Sequence, residues 1–329
     1  MKEFRTELKV QPSQASIHLK SSALTQGSCF ADAIGNRLNT YKIKTLVNPF
    51  GVIYNPESIH KVLIYSIFNE PLPENTYLHS REVFLNYNFH SEFSALTKDE
   101  LMSRLMNTIG SAHYFLKDTD WLLLTYGTAW VYHRKETGEI VANCHKLPSA
   151  MFAKSLMTTD AIVSSFKTVY DHLKKFNPQI KIILTVSPVR HLKDTLELNS
   201  VSKSILRVAC DNISNQYEDA EYFPAYEMML DDLRDYRFYK QDMLHPTAEA
   251  GDYISEKFME RYFSPELKDF VQKWKDILMA MRHKAFHAKT AAHQQFLQDT
   301  LAKLDELKKI VNVEEEVAFV KQQLLNRET

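Results

Sequence analysis

Two blocks of residues in this 329-residue chain have the types and spacing that chemistry needs, one near each end of its first 250 positions. The first is Gly27-Ser28-Cys29-Phe30-Ala31, which places a serine between an extended segment and a helix-forming run. A serine in that place can simply cap the helix, its hydroxyl accepting from an orphan backbone N–H. The same place suits a nucleophile, because first-turn N–H groups stabilise developing negative charge and a preceding glycine permits a tight turn. The second block is Asp242-Met243-Leu244-His245-Pro246. Serine attack needs a base within hydrogen-bond reach and a carboxylate to orient that base. Asp-x-x-His on a tight turn brings acid and imidazole together locally, and Pro246 opens the helix that follows. On residue types alone the pattern is compatible with acyl transfer through Ser28, with Asp242 and His245 as its partners, and equally with a helix cap and a structural histidine.

These residues need a scaffold, and the rest of the sequence describes one. Apolar residues at helical spacing predict helices over 30–41, 58–68, 97–116, 159–176, 200–214 and 247–262. Between them lie strand-length runs at 41–47, 120–125 and 180–186, the last two almost wholly apolar (DWLLLT and IKIILTV). A further strand is expected at 83–87. Apolar strands alternating with helices call for a parallel sheet covered on both faces, since both faces of such strands need burial. Ser28 then stands at the end of the first strand. From residue 266 onward there is neither glycine nor proline, and apolar stripes at helical spacing predict long helices, an α-hairpin packed on the core or on a partner chain. The expected division is residues 1–262 for the α/β domain and 263–329 for the helical extension, with assembly into a homo-oligomer through these helices as one use of it.

Composition removes several classes of function. With 40 basic against 41 acidic side chains, there is no electrostatic footprint for nucleic acid or an anionic membrane surface. The opening MKEFRTELKV has no long apolar segment, and no later stretch approaches a membrane span, so a cytoplasmic location is expected. Cys29, Cys144 and Cys210 are odd in number and widely spaced, which argues for reduced thiols. His283 and His287 lie four apart without a third ligand, and a Walker loop and a dinucleotide fingerprint are both missing. Neither a metal nor a cofactor is expected.

Gly-Ser-Cys-Phe-Ala resembles the signature of the GSCFA family, a branch similar to the SGNH (GDSL-like) hydrolases. The resemblance continues through Asn48–Pro56 (NPFGVIYNP), Tyr126–Trp130 (YGTAW), Asn143–Lys146 (NCHK), Ser187–His191 (SPVRH) and the Asp242–Pro246 block. It covers about residues 5–262, and it implies a three-layer α/β/α sandwich with a flavodoxin-like parallel sheet. By the same resemblance Ser28 is the nucleophile, His245 the base and Asp242 its acid, and Gly51 falls where a backbone donor serves the oxyanion. The hydrolases of that superfamily carry Gly-x-Asn-Asp where this chain has Gly127-Thr128-Ala129-Trp130, so their asparagine donor is missing. Asn143 and the Thr128 hydroxyl are the two candidates to replace it. His145, Arg190 and His191 follow predicted strands, where α/β proteins place their ligand crevice. Together with Trp130 they are the expected substrate contacts, with a solvated loop as the plainer alternative. The implied substrate is a small-molecule or glycan acyl ester, handled by an esterase. An acyltransferase using the same triad and a binding protein on a repurposed hydrolase fold stay open beside it.

Overall fold

The computed structural model describes residues 6–283, 286–287 and 289–325. They fall into two compact units, one of Lys20–Tyr262 with the chain up to Gln14, the other of Ala15–Leu19 with the chain from Phe263 onward.

The first unit is built on β1 (Ser22–Gly27), α1 (Cys29–Thr40), β2 (Lys44–Val47) and α2 (Pro56–Phe68). A hairpin, β3 (Tyr77–Ser80) and β4 (Val83–Asn86), leads to α3 (Lys98–Lys117) and β5 (Trp121–Tyr126). Next come β6 (Trp130–Arg134), β7 (Ile140–Val141), β8 (Phe152–Leu156), α4 (Thr159–Phe176) and β9 (Lys181–Val186). The unit closes with α5 (Thr195–Gln216), β10 (Ala220–Tyr222), the single turn α6 (Ala225–Glu227) and α7 (Ala248–Tyr262). Five strands form the central sheet in the order β10-β9-β5-β1-β2, every neighbouring pair parallel. Counted by strands of this sheet alone, the order is 2-1-3-4-5 read from the β2 edge, the flavodoxin-like arrangement.

Period-two side chains divide between two helical layers. Leu24, Leu122, Leu124, Ile182 and Leu184 share a core with residues of α2, α3, α4 and α5, among them Val62, Leu105, Phe166 and Leu206. On the other face Trp121 meets Tyr262 of α7, and Gly35 of α1 lies so close that a Cβ there would stand 2.7 Å from Thr25 Oγ1. The architecture is thus an α/β/α sandwich. An expectation of strand at 41–47 shortens to Lys44–Val47, because Tyr41 ends α1 and Lys42 takes a left-handed conformation. A small antiparallel sheet, β7-β6-β8, sits beside the main one.

The second unit holds α8 (Pro265–Arg282), α9 (Ala291–Leu307) and α10 (Glu314–Leu325). Ser264 caps α8 through the Leu267 N–H, and Ile17 pairs with Phe263 in a parallel bridge. Three helices therefore stand where a hairpin was expected. Among the described residues no helix is long and apolar enough to cross a membrane.

Candidate active site

The sheet places the carboxyl ends of β1, β5 and β9 side by side, and the strand order reverses between β1 and β5. In open α/β sheets that switch point opens the crevice where ligands bind. Ser28 stands there, immediately after β1.

Its turn is strongly determined. Gly27 has φ +151°, and a Cβ on it would lie 2.2 Å from the Thr125 carbonyl oxygen, so only glycine fits between β1 and β5. Its N–H donates to Asn48 Oδ1 at 2.8 Å, while Asn48 Nδ2 donates to Asp32 Oδ1 at 2.6 Å. Ser28 N–H donates to Thr125 O at 3.1 Å, and Ser28 Oγ accepts from Phe30 N–H at 3.3 Å as the N-cap of α1. The serine is 1% exposed. Ser28 is thus the cap of α1, and it sits on the switch point.

Asp242 and His245, the expected acid and base, stand on the loop before α7. An antiparallel bridge joins Tyr239 to Pro246, and Lys240 N–H donates to His245 O at 2.7 Å, closing a tight loop. Inside it Asp242 Oδ1 accepts the N–H groups of Leu244 and His245 at 2.9 and 3.0 Å. Asp242 Oδ2 meets His245 Nδ1 at 2.7 Å. The backbone N–H groups of His245 and Leu244, then the imidazole, hold the Asp242 carboxyl down to about 2. An ionised carboxylate on Nδ1 fixes the tautomer and leaves the Nε2 lone pair as a base. Both side chains are over two-fifths exposed, at 44% for Asp242 and 42% for His245. No hydrogen bond joins Ser28 Oγ to His245.

The loop after β9 connects these parts. Arg190 N–H donates to Leu244 O at 3.3 Å, and its guanidinium lies over the Tyr239 ring at 3.9 Å and the Tyr236 ring at 5.4 Å. Arg190 was expected to contact substrate; its charge is instead spread on the aromatic faces that brace the dyad loop. His191 meets Tyr54 edge-on at 5.4 Å, and its buried Nε2 has no hydrogen-bond partner. Burial first, then the Lys203 charge, lower the His191 imidazole to about 4, so it is neutral at pH 7.

The expected oxyanion donors all have other partners. Gly51, at φ +72°, donates its N–H to Asn48 O at 2.8 Å, closing the turn after β2. Thr128 Oγ1 accepts from Trp130 N–H at 3.1 Å and lies 3.1 Å from Ser202 Oγ. Asn143 Oδ1 accepts from His145 N–H at 2.8 Å, and its amide donates to Ser91 Oγ at 3.2 Å. His145 is buried, its Nε2 bonded to Asn86 O at 2.9 Å and its Nδ1 to Ser91 Oγ at 3.0 Å. These bonds tie His145 to the end of β4 and the loop after it, and occupy both of its ring nitrogens. Trp130 carries the Lys154 ammonium over its ring at 4.4 Å.

One residue escaped the sequence reading. Lys203 of α5 is 1% exposed, and its Nζ donates to Gly127 O and Ser187 O, both at 2.7 Å. The signal was present: Asn199, Ser202, Leu206, Ala209 and Ile213 form the buried stripe of α5, and Lys203 falls within it. A lysine on a core stripe demands an explanation. Among the described residues no group of three or more His, Cys, Asp or Glu side chains is arranged to hold a metal ion.

A model of the GSCFA family matches residues 22–258, and a model of the C-terminal domain of GSCFA domain proteins matches residues 274–326. A search of curated proteins found no match. Among solved structures, the chain is similar to a carbohydrate esterase family 3 protein from Talaromyces cellulolyticus, at 8% identity and a TM-score of 0.35. That match covers 78% of this chain and 99% of the other. It is also similar to an acetyl xylan esterase from the rumen bacterium Butyrivibrio proteoclasticus, at 9% identity and a TM-score of 0.37, covering 75% and 64% of the two chains.

Proposed function

The chain belongs to the GSCFA family, and from that premise we propose that it is a serine hydrolase of the esterase type. The observation that carries the reading is the Asp242–His245 pair. A carboxylate held by two backbone N–H groups clamps Nδ1 at 2.7 Å and presents Nε2 as a base. Oδ1 alone satisfies the turn, and Oδ2 is left to the imidazole.

In this reading Ser28 Oγ attacks the carbonyl carbon of an acyl ester as His245 Nε2 takes the hydroxyl proton. Asp242 stabilises the imidazolium that results. Collapse of the tetrahedral intermediate expels the alcohol, which leaves with that proton, and an acyl group stays on Oγ. Water, deprotonated by His245, then releases the acid and restores the serine. The oxyanion falls to the first turn of α1, where the N–H groups of Cys29 and Phe30 lie outside the helix ladder and the helix dipole favours negative charge. Attack requires Oγ to leave Phe30 N–H and turn to His245, so substrate binding assembles the triad.

The substrate class is a small-molecule or glycan acyl ester. Near-complete burial of Ser28 also favours a second reading, in which a shielded acyl-enzyme passes its group to an alcohol or amine. Free cysteines at 29, 144 and 210 fit a reducing, cytoplasmic setting.

Fluorophosphonate labelling with mapping of the modified residue tests the proposal. The expected label is on Ser28, lost in Ser28→Ala and sharply slowed in His245→Ala. Absence of label on the wild-type protein, with no turnover across a panel of acyl esters, would leave a binding protein on a hydrolase fold.

A further inference from the structure

Lys203 is the only lysine or arginine among the described residues that is buried, and the only acid whose charge bears on it is the Cys29 thiol. Burial of that thiol raises its titration, so the pair is not an ion pair at neutral pH. Such an uncompensated ammonium is costly in a protein interior. Burial accordingly pulls Lys203 down to about 7, while the two carbonyl oxygens it touches favour its charged form.

Its location gives the cost a reason. Gly127 and Ser187 are the first residues after β5 and β9, so one ammonium ties the end of β5, which borders the crevice, to the end of β9 beside it. Gly127 opens the loop in which this chain lacks an asparagine donor. The Lys203 charge bears on Cys29, the residue after the proposed nucleophile, and on His191. An ammonium has three donors, and only two are engaged.

We propose that Lys203 is the positioning residue that stands in for the missing amide, holding the Gly127 and Ser187 loops together and setting a positive charge behind the oxyanion. This rests on the serine-hydrolase reading. It assigns the charge to stabilising negative charge as it develops on the substrate oxygen, so its effect belongs to the transition state rather than to substrate binding.

The test is Lys203→Met, which keeps the stem and removes the charge, measured beside the wild-type protein for fluorophosphonate labelling of Ser28 and for ester turnover. The expected result is a hundred- to a thousandfold fall in labelling rate and kcat with KM changed less than about threefold, the loss typical of one oxyanion donor. A labelled wild type with Lys203→Met labelled at the same rate overturns the Lys203 assignment alone. A wild type that takes no label overturns the hydrolase reading and this assignment with it. If Lys203→Met does not fold, the structure of the phosphonylated wild-type protein decides. A phosphoryl oxygen on the first turn of α1, on the side of the Gly127 loop, supports the assignment, and one directed at Asn143 refutes it.

Discussion

His60 makes the crevice sensitive to acid in a way that can be worked out from its surroundings. It is 2% exposed, with Nδ1 bonded to Ser165 Oγ at 2.8 Å and Nε2 to the Tyr126 hydroxyl at 2.7 Å. Burial lowers its imidazole from 6.5 to about 3. The unfolded chain therefore takes up a proton before the folded protein does. Stability is complete above about pH 6.5 and falls as pH drops, by about 1.4 kcal/mol for each unit until about pH 3. Between pH 7.5 and pH 5 the cost is about 2 kcal/mol, and near pH 3 it is about 4 kcal/mol. Either figure is a large share of a typical domain's stability. Because Tyr126 is the last residue of β5, loosening this contact also loosens the strand end that carries Gly127. Denaturant unfolding at pH 7.5 and pH 5 should be compared for the wild type and His60→Gln. Taking the difference between the two proteins cancels every other titrating group, and the glutamine's own effect on stability drops out with it. The wild type should lose about 2 kcal/mol more than the variant. An equal loss in both would refute the argument.

Two further outcomes bear on the site itself. Asp242→Asn keeps an oxygen for the two backbone N–H groups but turns an amide toward Nδ1, and should lower ester turnover about a thousandfold or more with the fold intact by circular dichroism. Turnover within tenfold of wild type would remove Asp242 from the mechanism. Gly27→Ala drives a Cβ to 2.2 Å from Thr125 O at a φ that alanine resists, and should cost roughly 2–4 kcal/mol in denaturant unfolding as well as abolishing the Ser28 label. Wild-type stability in that variant would mean that the β1–β5 turn tolerates a side chain.

The middle of the central sheet was legible because β5 and β9 are buried on both faces and read as nearly unbroken apolar runs. β10 was missed: three residues carry no period. The β6–β8 sheet was missed for another reason, since Val131 is its only buried position on β6 and the alternation is too faint to detect. The Asp242–His245 contact was foreseeable because it is local, needing only a tight turn. Donor availability was not, because it depends on what else each group meets. Gly51 N–H closes its own turn onto Asn48, and the Asn143 amide finds Ser91, a residue fifty-two positions earlier in the chain. Lys203 was hidden by the same limit, since its partners are two carbonyl oxygens that have no sequence signature.

The bridge from Tyr239 to Pro246 encloses acid and base within a single loop. Most acyl-transfer sites assemble three groups from three separate places, so a displacement of one degrades the geometry of all. In the proposed mechanism the carboxylate and imidazole of this loop act as a single body, and the distance from Nε2 to Oγ becomes the one coordinate that separates rest from readiness. Arg190, seated on Tyr239 and bonded to Leu244, is the joint about which that body is hung. Changes at Arg190 should therefore alter how often the site is assembled while leaving intact the basicity of the imidazole, so that turnover frequency and chemical competence become separately adjustable.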